Sequence, residues 1–306
     1  MKISRRNFLK SIVAAGGASL VPLGSKAVAE PKLDGYPDRF GCLTDVTRCV
    51  GCRACEEACN QANKLPKPDV PFDDQTVVET QRRTSAKAYT VVNRYGNSKT
   101  GEPVFRKIQC NHCNEPACAS ACLVKAYTKT PEGAVVYNPD ICLGCRYCML
   151  ACPFSVPAYE YDNAFSPRIR KCSLCFDRIK TGGVPACVEA CPTETLIFGK
   201  RKDLIKIARD RIEKEPDKYL DHIYGEHEVG GTSWLYISGV PFEQVGLKTD
   251  LGDRPYPELT RGFLSAVPLV LTLWPALLGG FYLFSKTRDD AAETREARPA
   301  TEARRK

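Results

Sequence analysis

Histidine is scarce in this chain: three residues in 306, and no two are arranged to grip a haem iron. There is no P-loop, no glycine fingerprint for a dinucleotide and no nucleophile elbow. Chemistry on a bound substrate needs a nucleophile, a base or a phosphate cradle. None is legible here, which argues against an independent enzyme. Acid is missing from residues 1–29, and charge of either sign is missing from residues 262–284. Cysteine is what the chain has in excess, seventeen residues, far more than a core needs.

Sixteen of them fall into four groups. Cys142, Cys145, Cys148 and Cys152, followed by Pro153, are spaced C-x2-C-x2-C-x3-C-P. Three thiolates at that spacing wrap one face of a cubane iron–sulfur cluster, and in two-cluster ferredoxins the fourth ligates the other cluster. The proline turns the chain away after the last ligand. Cys49, Cys52, Cys55 and Cys59 repeat the spacing, with Asn60 in place of proline. Cys110, Cys113, Cys118 and Cys122 are spaced C-x2-C-x4-C-x3-C, followed by Leu123. Cys172, Cys175, Cys187 and Cys191 are spaced C-x2-C-x11-C-x3-C, end on Pro192, and hold Gly182, Gly183 and Pro185 in the widened loop. Group starts at 110, 142 and 172 recur about every thirty residues, the trace of duplicated ferredoxin units.

Two other uses of cysteine compete. An odd total in tight quartets is a poor disulfide framework. Zinc sites use two C-x2-C pairs across a spacer. The last group alone has that look, but the triplet C-x2-C-x2-C, present twice, suits a cubane. Cys42 lies outside every group and is expected as a buried apolar residue. His112, between Cys110 and Cys113, either donates a hydrogen bond to a cluster or packs beside it. His222 and His227 read as surface residues. Lys107, Arg146, Arg168, Arg170 and Lys171 lie near ligands in sequence; they either raise cluster potentials or are solvated surface charge.

The formal charge of +8 has a simple origin. Lys2, Arg5, Arg6, Lys10 and Lys26 lie in the acid-free first 29 residues, and removing those five charges from +8 leaves +3. Each four-thiolate cubane carries roughly −2 when oxidised. The basic excess therefore balances clusters and serves targeting. It is not a nucleic-acid footprint, and no nucleic-acid partner is expected.

Residues 1–29 read as a twin-arginine signal, with Arg5 and Arg6 before Asn7, Phe8 and Leu9 and an A-x-A site at Ala27–Ala29. That route carries folded proteins, so clusters built in the reducing cytoplasm survive export to an oxidising compartment. Residues 30–240 form the expected cluster domain. Residues 60–88 read as a loop insertion, 89–95 and 103–108 as a hairpin, 134–137 and 195–198 as strands. Residues 203–214 read as a helix with Asp203 as N-cap, and 234–237 as a further strand. Residues 241–261 read as a linker. The 23 uncharged residues 262–284 span about 34 Å as a helix, enough to cross a bilayer. The tail, 285–306, has seven Lys or Arg against five acids, which favours the cytoplasmic side and puts the body on the periplasmic side.

Together, the four quartets and the trailing apolar helix resemble the four-cluster ferredoxin-type electron-transfer subunits of bacterial membrane oxidoreductases. The chain is similar to the beta subunit of respiratory formate dehydrogenase and more similar to the iron–sulfur subunit of hydrogenase-2 type complexes, which carries its own twin-arginine signal. The stretch Gly230–Thr232 before an apolar strand belongs to the same resemblance. It implies an α+β fold of two interlocked ferredoxin-like dicluster units, with a short β-hairpin insertion and one C-terminal transmembrane helix.

The resemblance also implies four [4Fe–4S] clusters with crossed ligands. The first would take Cys49, Cys52, Cys55 and Cys191; the second Cys110, Cys113, Cys118 and Cys152. The third would take Cys142, Cys145, Cys148 and Cys122; the fourth Cys172, Cys175, Cys187 and Cys59. The implied partners are a periplasmic catalytic subunit (a hydrogenase or a molybdopterin enzyme), a polytopic quinone-reactive membrane subunit, and lipid around the C-terminal helix. The implied role is non-catalytic electron transfer. The rival class is an exported iron–sulfur sensor or assembly factor, for which no regulatory domain is visible.

Overall fold

The computed structural model describes residues 38–98 and 100–302; the expected signal at 1–29 lies outside them. In chain order the elements are β1 (Phe40–Asp45), α1 (Ala54–Ala62), β2 (Val91–Gly96), β3 (Pro103–Ile108), α2 (Ala117–Ser120), β4 (Tyr127–Lys129), β5 (Val135–Tyr137), α3 (Tyr147–Ala151), β6 (Ala158–Tyr159), β7 (Ile169–Arg170), α4 (Phe176–Ile179), α5 (Ala186–Glu189), β8 (Leu196–Lys200), α6 (Arg201–Lys214), β9 (Trp234–Ile237) and α7 (Tyr256–Glu302). Short strands mix with helices of four or five residues, because each cysteine group interrupts the backbone.

β1 is the centre strand of the largest sheet, antiparallel to β8 and parallel to β9. It joins the sequence just before the first cysteine group to the sequence just after the last. α1 packs on α5, and α2 packs on α3. The first and fourth groups thus share one pair of helices, and the second and third share the other. β2–β3, β4–β5 and β6–β7 are separate antiparallel hairpins.

α6 covers one face of the sheet. Leu204, Ala208 and Ile212, four residues apart, meet Leu43, Leu235 and Ile237. The helix starts at Arg201, so Asp203 lies in its first turn and Lys200 takes the N-cap position. The buried Arg201 side chain explains the earlier start. Its guanidinium donates to the carbonyls of Thr232, Gly225 and Glu226, and its backbone N–H donates to Arg39 O. Asp203 still favours the positive helix end as a charge.

The loop 60–88 is tied down by one buried carboxylate. Glu56 on α1 pairs with Arg53 and Arg82 and accepts the Val92 N–H at 2.6 Å. Arg53 also donates to the carbonyls of Pro71 and Asp74, both at 2.7 Å. The segment expected as a linker is packed over much of its length. Phe242, Val245, Leu247 and Leu251 are buried, because this irregular stretch covers the face of the core that the sheet leaves open. From Tyr256 one helix runs to Glu302. Its apolar stretch is long enough to cross a membrane, and its large side chains, Phe263, Trp274 and Phe281 among them, are exposed.

Candidate metal centres

All seventeen cysteines are free thiols. The last cysteine of each group interacts electrostatically with cysteines of another group. Cys49 interacts electrostatically with Cys191 and Cys52, and Cys55 with Cys49; these four line one cavity. Cys113 interacts with Cys152, Cys110 and Cys118. Cys148 interacts with Cys142, Cys122 and Cys145. Cys59 interacts with Cys187 and Cys175, and Cys172 with Cys59 and Cys187. Three further interactions link the sets in a line: Cys55 with Cys187, Cys172 with Cys110, and Cys118 with Cys148. Cys42 is buried on β1 and belongs to none of the four, although it lies close enough to Cys187 to interact with it.

One local device recurs at the start of every group. The residue two after the first cysteine has positive φ: Gly51 (74°), His112 (48°), Gly144 (69°) and Leu174 (58°). That turn aims its N–H back at the first sulfur. His112 N donates to Cys110 Sγ at 3.5 Å, Gly144 N to Cys142 Sγ at 3.4 Å, Leu174 N to Cys172 Sγ at 3.4 Å, and Gly51 N to Cys49. Glycine meets the requirement freely. His112 and Leu174 hold a conformation that L side chains resist, at a cost of about 1–3 kcal/mol. The last cysteines are served from further along. Ala126 N donates to Cys122 Sγ at 3.1 Å, and Asn63 Nδ2 reaches Cys59 Sγ at 3.5 Å. N–H bonds to cluster sulfurs stabilise negative charge there and tune potential.

Burial dominates at several thiols. It pushes Cys49 up to about 11 and Cys59, Cys118 and Cys148 up to about 12. Cys191 goes the other way. Burial opposes its charge, but N–H groups of Leu196, Thr195 and Thr193 and the Thr193 hydroxyl outweigh it and hold the thiol below its ordinary range.

The five cations singled out from sequence divide. Lys107 and Lys171 are buried, Arg146 and Arg168 are exposed, and Arg170 is half-buried beside Glu160. Lys129 was not anticipated. It is partly buried and donates to His112 O, Gly133 O and Ser233 Oγ at 2.7–3.0 Å. Its only sequence signal is its place on a strand beside the second group. His222 and His227 are at the surface, each beside a glutamate.

His112 is fully buried. Val135 N donates to its Nδ1 at 2.9 Å, so the neutral ring carries its proton on Nε2. Burial, helped by Lys171, Lys129 and Lys107, holds it well below the ordinary histidine range. Its Nε2 has no hydrogen-bond partner among the described residues, and an orphaned buried donor needs an acceptor.

The donor set fits a sulfide-rich cluster. Sixteen thiols sit in four sets, N–H groups converge on their sulfurs, and a buried imidazole donor has no acceptor among the described residues. Among the described residues no three His, Cys, Asp or Glu side chains converge as one ion requires. A cavity of about 640 Å³ lies elsewhere, between Lys64–Pro66, Ser85–Lys87 and Tyr159–Arg170, and no cysteine lines it.

A 4Fe–4S dicluster domain family matches residues 102–201. The hydrogenase-2 operon protein HybA of Escherichia coli O157:H7 is 36% identical over 80% of this chain and 84% of its own length. The chain belongs to the iron–sulfur subunit family of oxidoreductase complexes. The nitrate-inducible formate dehydrogenase iron–sulfur subunit of Escherichia coli K12 is 35% identical over 66% of this chain and 69% of its own. A protein of Nitratidesulfovibrio vulgaris is 52% identical over 98% of this chain and 82% of its own. As a member of this family, the chain is an electron-transfer subunit that carries multiple [4Fe–4S] clusters.

Proposed function

We propose that this chain relays electrons through four clusters between a catalytic subunit on the periplasmic side and a quinone-reactive membrane subunit, and catalyses nothing itself. One observation carries the reading. Of the seventeen cysteines only Cys52 and Cys145 are exposed, and they belong to the two sets at opposite ends of the line of interacting thiols. The order is then the Cys49 set, the Cys172 set, the Cys110 set and the Cys142 set. When bound, each cluster supplies a one-electron site. The chain's residues hold these sites in series, bury the middle two and leave each end open to a partner.

Each dicluster unit would be interlocked, one built from groups one and four and the other from groups two and three. The exchanged ligands are Cys191 and Cys59 in the first unit and Cys152 and Cys122 in the second. The pairing of α1 with α5 and of α2 with α3 supports this.

Leu123, Leu143, Tyr147 and Leu150 are exposed around the Cys142 set. Such an apolar rim suits a docked protein. α7 leaves the domain against α2, next to that set. We therefore assign the Cys142 end to the membrane subunit and the Cys49 end to the catalytic subunit. α7 anchors the chain in lipid over 262–284, with the tail inside. The twin-arginine segment at 1–29 exports the folded body. A hydrogenase is favoured over a formate-oxidising molybdopterin enzyme as partner, since the chain spans 84% of HybA and 69% of the formate dehydrogenase subunit.

The test is iron and acid-labile sulfide per chain in protein purified without oxygen. About sixteen of each is expected. A zinc content of about four with no sulfide would end the proposal.

A further inference from the structure

Lys107 is unlike the other two lysines near the cysteine sets, the partly buried Lys129 and the buried Lys171. Lys129 uses all three of its protons on oxygen atoms, and Lys171 donates to the carbonyls of Val135 and Cys172. Lys107 is as buried as Lys171 and more so than Lys129, but among the described residues it makes one hydrogen bond, to Gln109 Oε1 at 3.1 Å. Its ammonium lies 4.6 Å from the centroid of the Trp234 ring. That amide is held in place from behind. Gln109 Nε2 donates to the Tyr236 hydroxyl at 2.6 Å, which donates to Asn111 Oδ1 at 3.1 Å.

No carboxylate pairs with Lys107 among the described residues; the buried Glu56 nearby is taken by Arg53 and Arg82. A desolvated ammonium with no anion is strongly unfavourable. The anions available are sulfurs. Lys107 lines the cavity of Cys49, Cys52, Cys55 and Cys191. Burial works against its charge, but Cys187, Cys55, Cys172 and Cys59 outweigh that and hold it above the ordinary lysine range. Cys55 belongs to the first set; Cys187, Cys172 and Cys59 belong to the fourth.

We infer that Lys107 is a shared buried counter-ion of the first and fourth clusters and raises both their reduction potentials together. The inference rests on the relay reading above. Reducing one cluster adds one electron and one unit of negative charge, with no proton or bond change. A fixed cation nearby favours the more negative state, and in a poorly screened interior the effect is large. Lys107 is therefore a positioning charge that acts on the potentials of two neighbouring sites. Because it raises the two together, the driving force of the step between them is kept while both become easier to reduce.

The experiment is a dithionite titration of the full chain, followed by electron paramagnetic resonance, on wild type, Lys107→Gln, Lys107→Arg and Gln109→Glu. In Lys107→Gln two of the four signals should move to lower potential. The reduced-to-oxidised ratio at a fixed potential should fall at least tenfold, about 59 mV for a one-electron couple. The other two signals should move far less, and Lys107→Arg should restore the wild-type positions. Gln109→Glu keeps the lysine but places a carboxylate beside it, and should lower the same two signals. This variant decides the matter if Lys107→Gln fails to load its clusters. Full iron content with no shift in either variant, or an equal shift of all four signals, overturns the role of Lys107. Wild-type protein without iron would instead overturn the relay itself.

Discussion

Cys191 lies in the cavity of Cys49, although the two belong to the last and the first cysteine groups of the chain. β1 and β8 bring them together, since one strand precedes Cys49, the other follows Cys191, and they pair antiparallel. The crossing makes a prediction that no reading of the groups as separate would share. Replacing Cys49 and Cys191 together by serine should remove one cluster, about four irons. Replacing Cys49 and Cys59 together should damage two clusters, with a loss of about eight. Iron analysis beside electron paramagnetic resonance checks both. Equal losses in the two variants would refute the crossing.

Glu56 is a buried carboxylate shared by two arginines and one backbone N–H. Glu56→Ala leaves Arg53 buried without its anion and unties the loop 60–88. The expected cost is about 3–5 kcal/mol. It should appear as a lower melting temperature and faster bleaching of cluster absorbance on heating. Lys87→Ala, at an exposed ion pair with Asp162, should leave both unchanged.

Gly51 combines positive φ with a tight neighbour: a Cβ there would lie 2.5 Å from Phe105 Cδ1. Gly51→Ala should destabilise by more than about 1 kcal/mol. It should also shift the N–H that Gly51 donates to Cys49. Adding Phe105→Ala removes the clash but not the backbone strain, so the double variant should recover part of the loss. Full recovery of melting temperature and spectrum would show that φ at this position is unimportant.

α7 exposes its apolar side chains along the whole stretch from Phe263 to Phe284. A chain ending at Pro255 should keep its full iron content and move from the membrane fraction to the soluble fraction. Pro255 is retained because its ring packs on Gly230. A truncated chain that stayed in the membrane fraction at high salt would assign the anchoring to another surface.

The candidate ligands of the proposed site were legible in the sequence. Ligand identity is local information, because thiolates at C-x2-C-x2-C spacing reach one cluster face whatever lies around them. The hairpin of β2 and β3 and the strand β5 were also legible, since turns and alternating strands are local signals. The start of α6 was not. It was decided by the Arg201 side chain, whose carbonyl partners lie 24 to 31 residues further along the chain. Nor was the packing of Phe242, Val245 and Leu247, apolar residues in an irregular stretch with no periodicity to reveal their face.

Charge near the ligands shows the same division. Lys107, Arg146 and Lys171 are alike in sequence, each within four residues of a cysteine. Only the fold separates a lysine sealed under Trp234 from an arginine in water, because the cost of a charge depends on how far solvent is from it. By itself the sequence determined which thiols are candidates for iron and that one helix is apolar enough for lipid. Tertiary structure alone decided that two sets lie inside and two at the ends, and that one ammonium faces two of them. Burial and long-range charge depend on distances that no short stretch of chain can set.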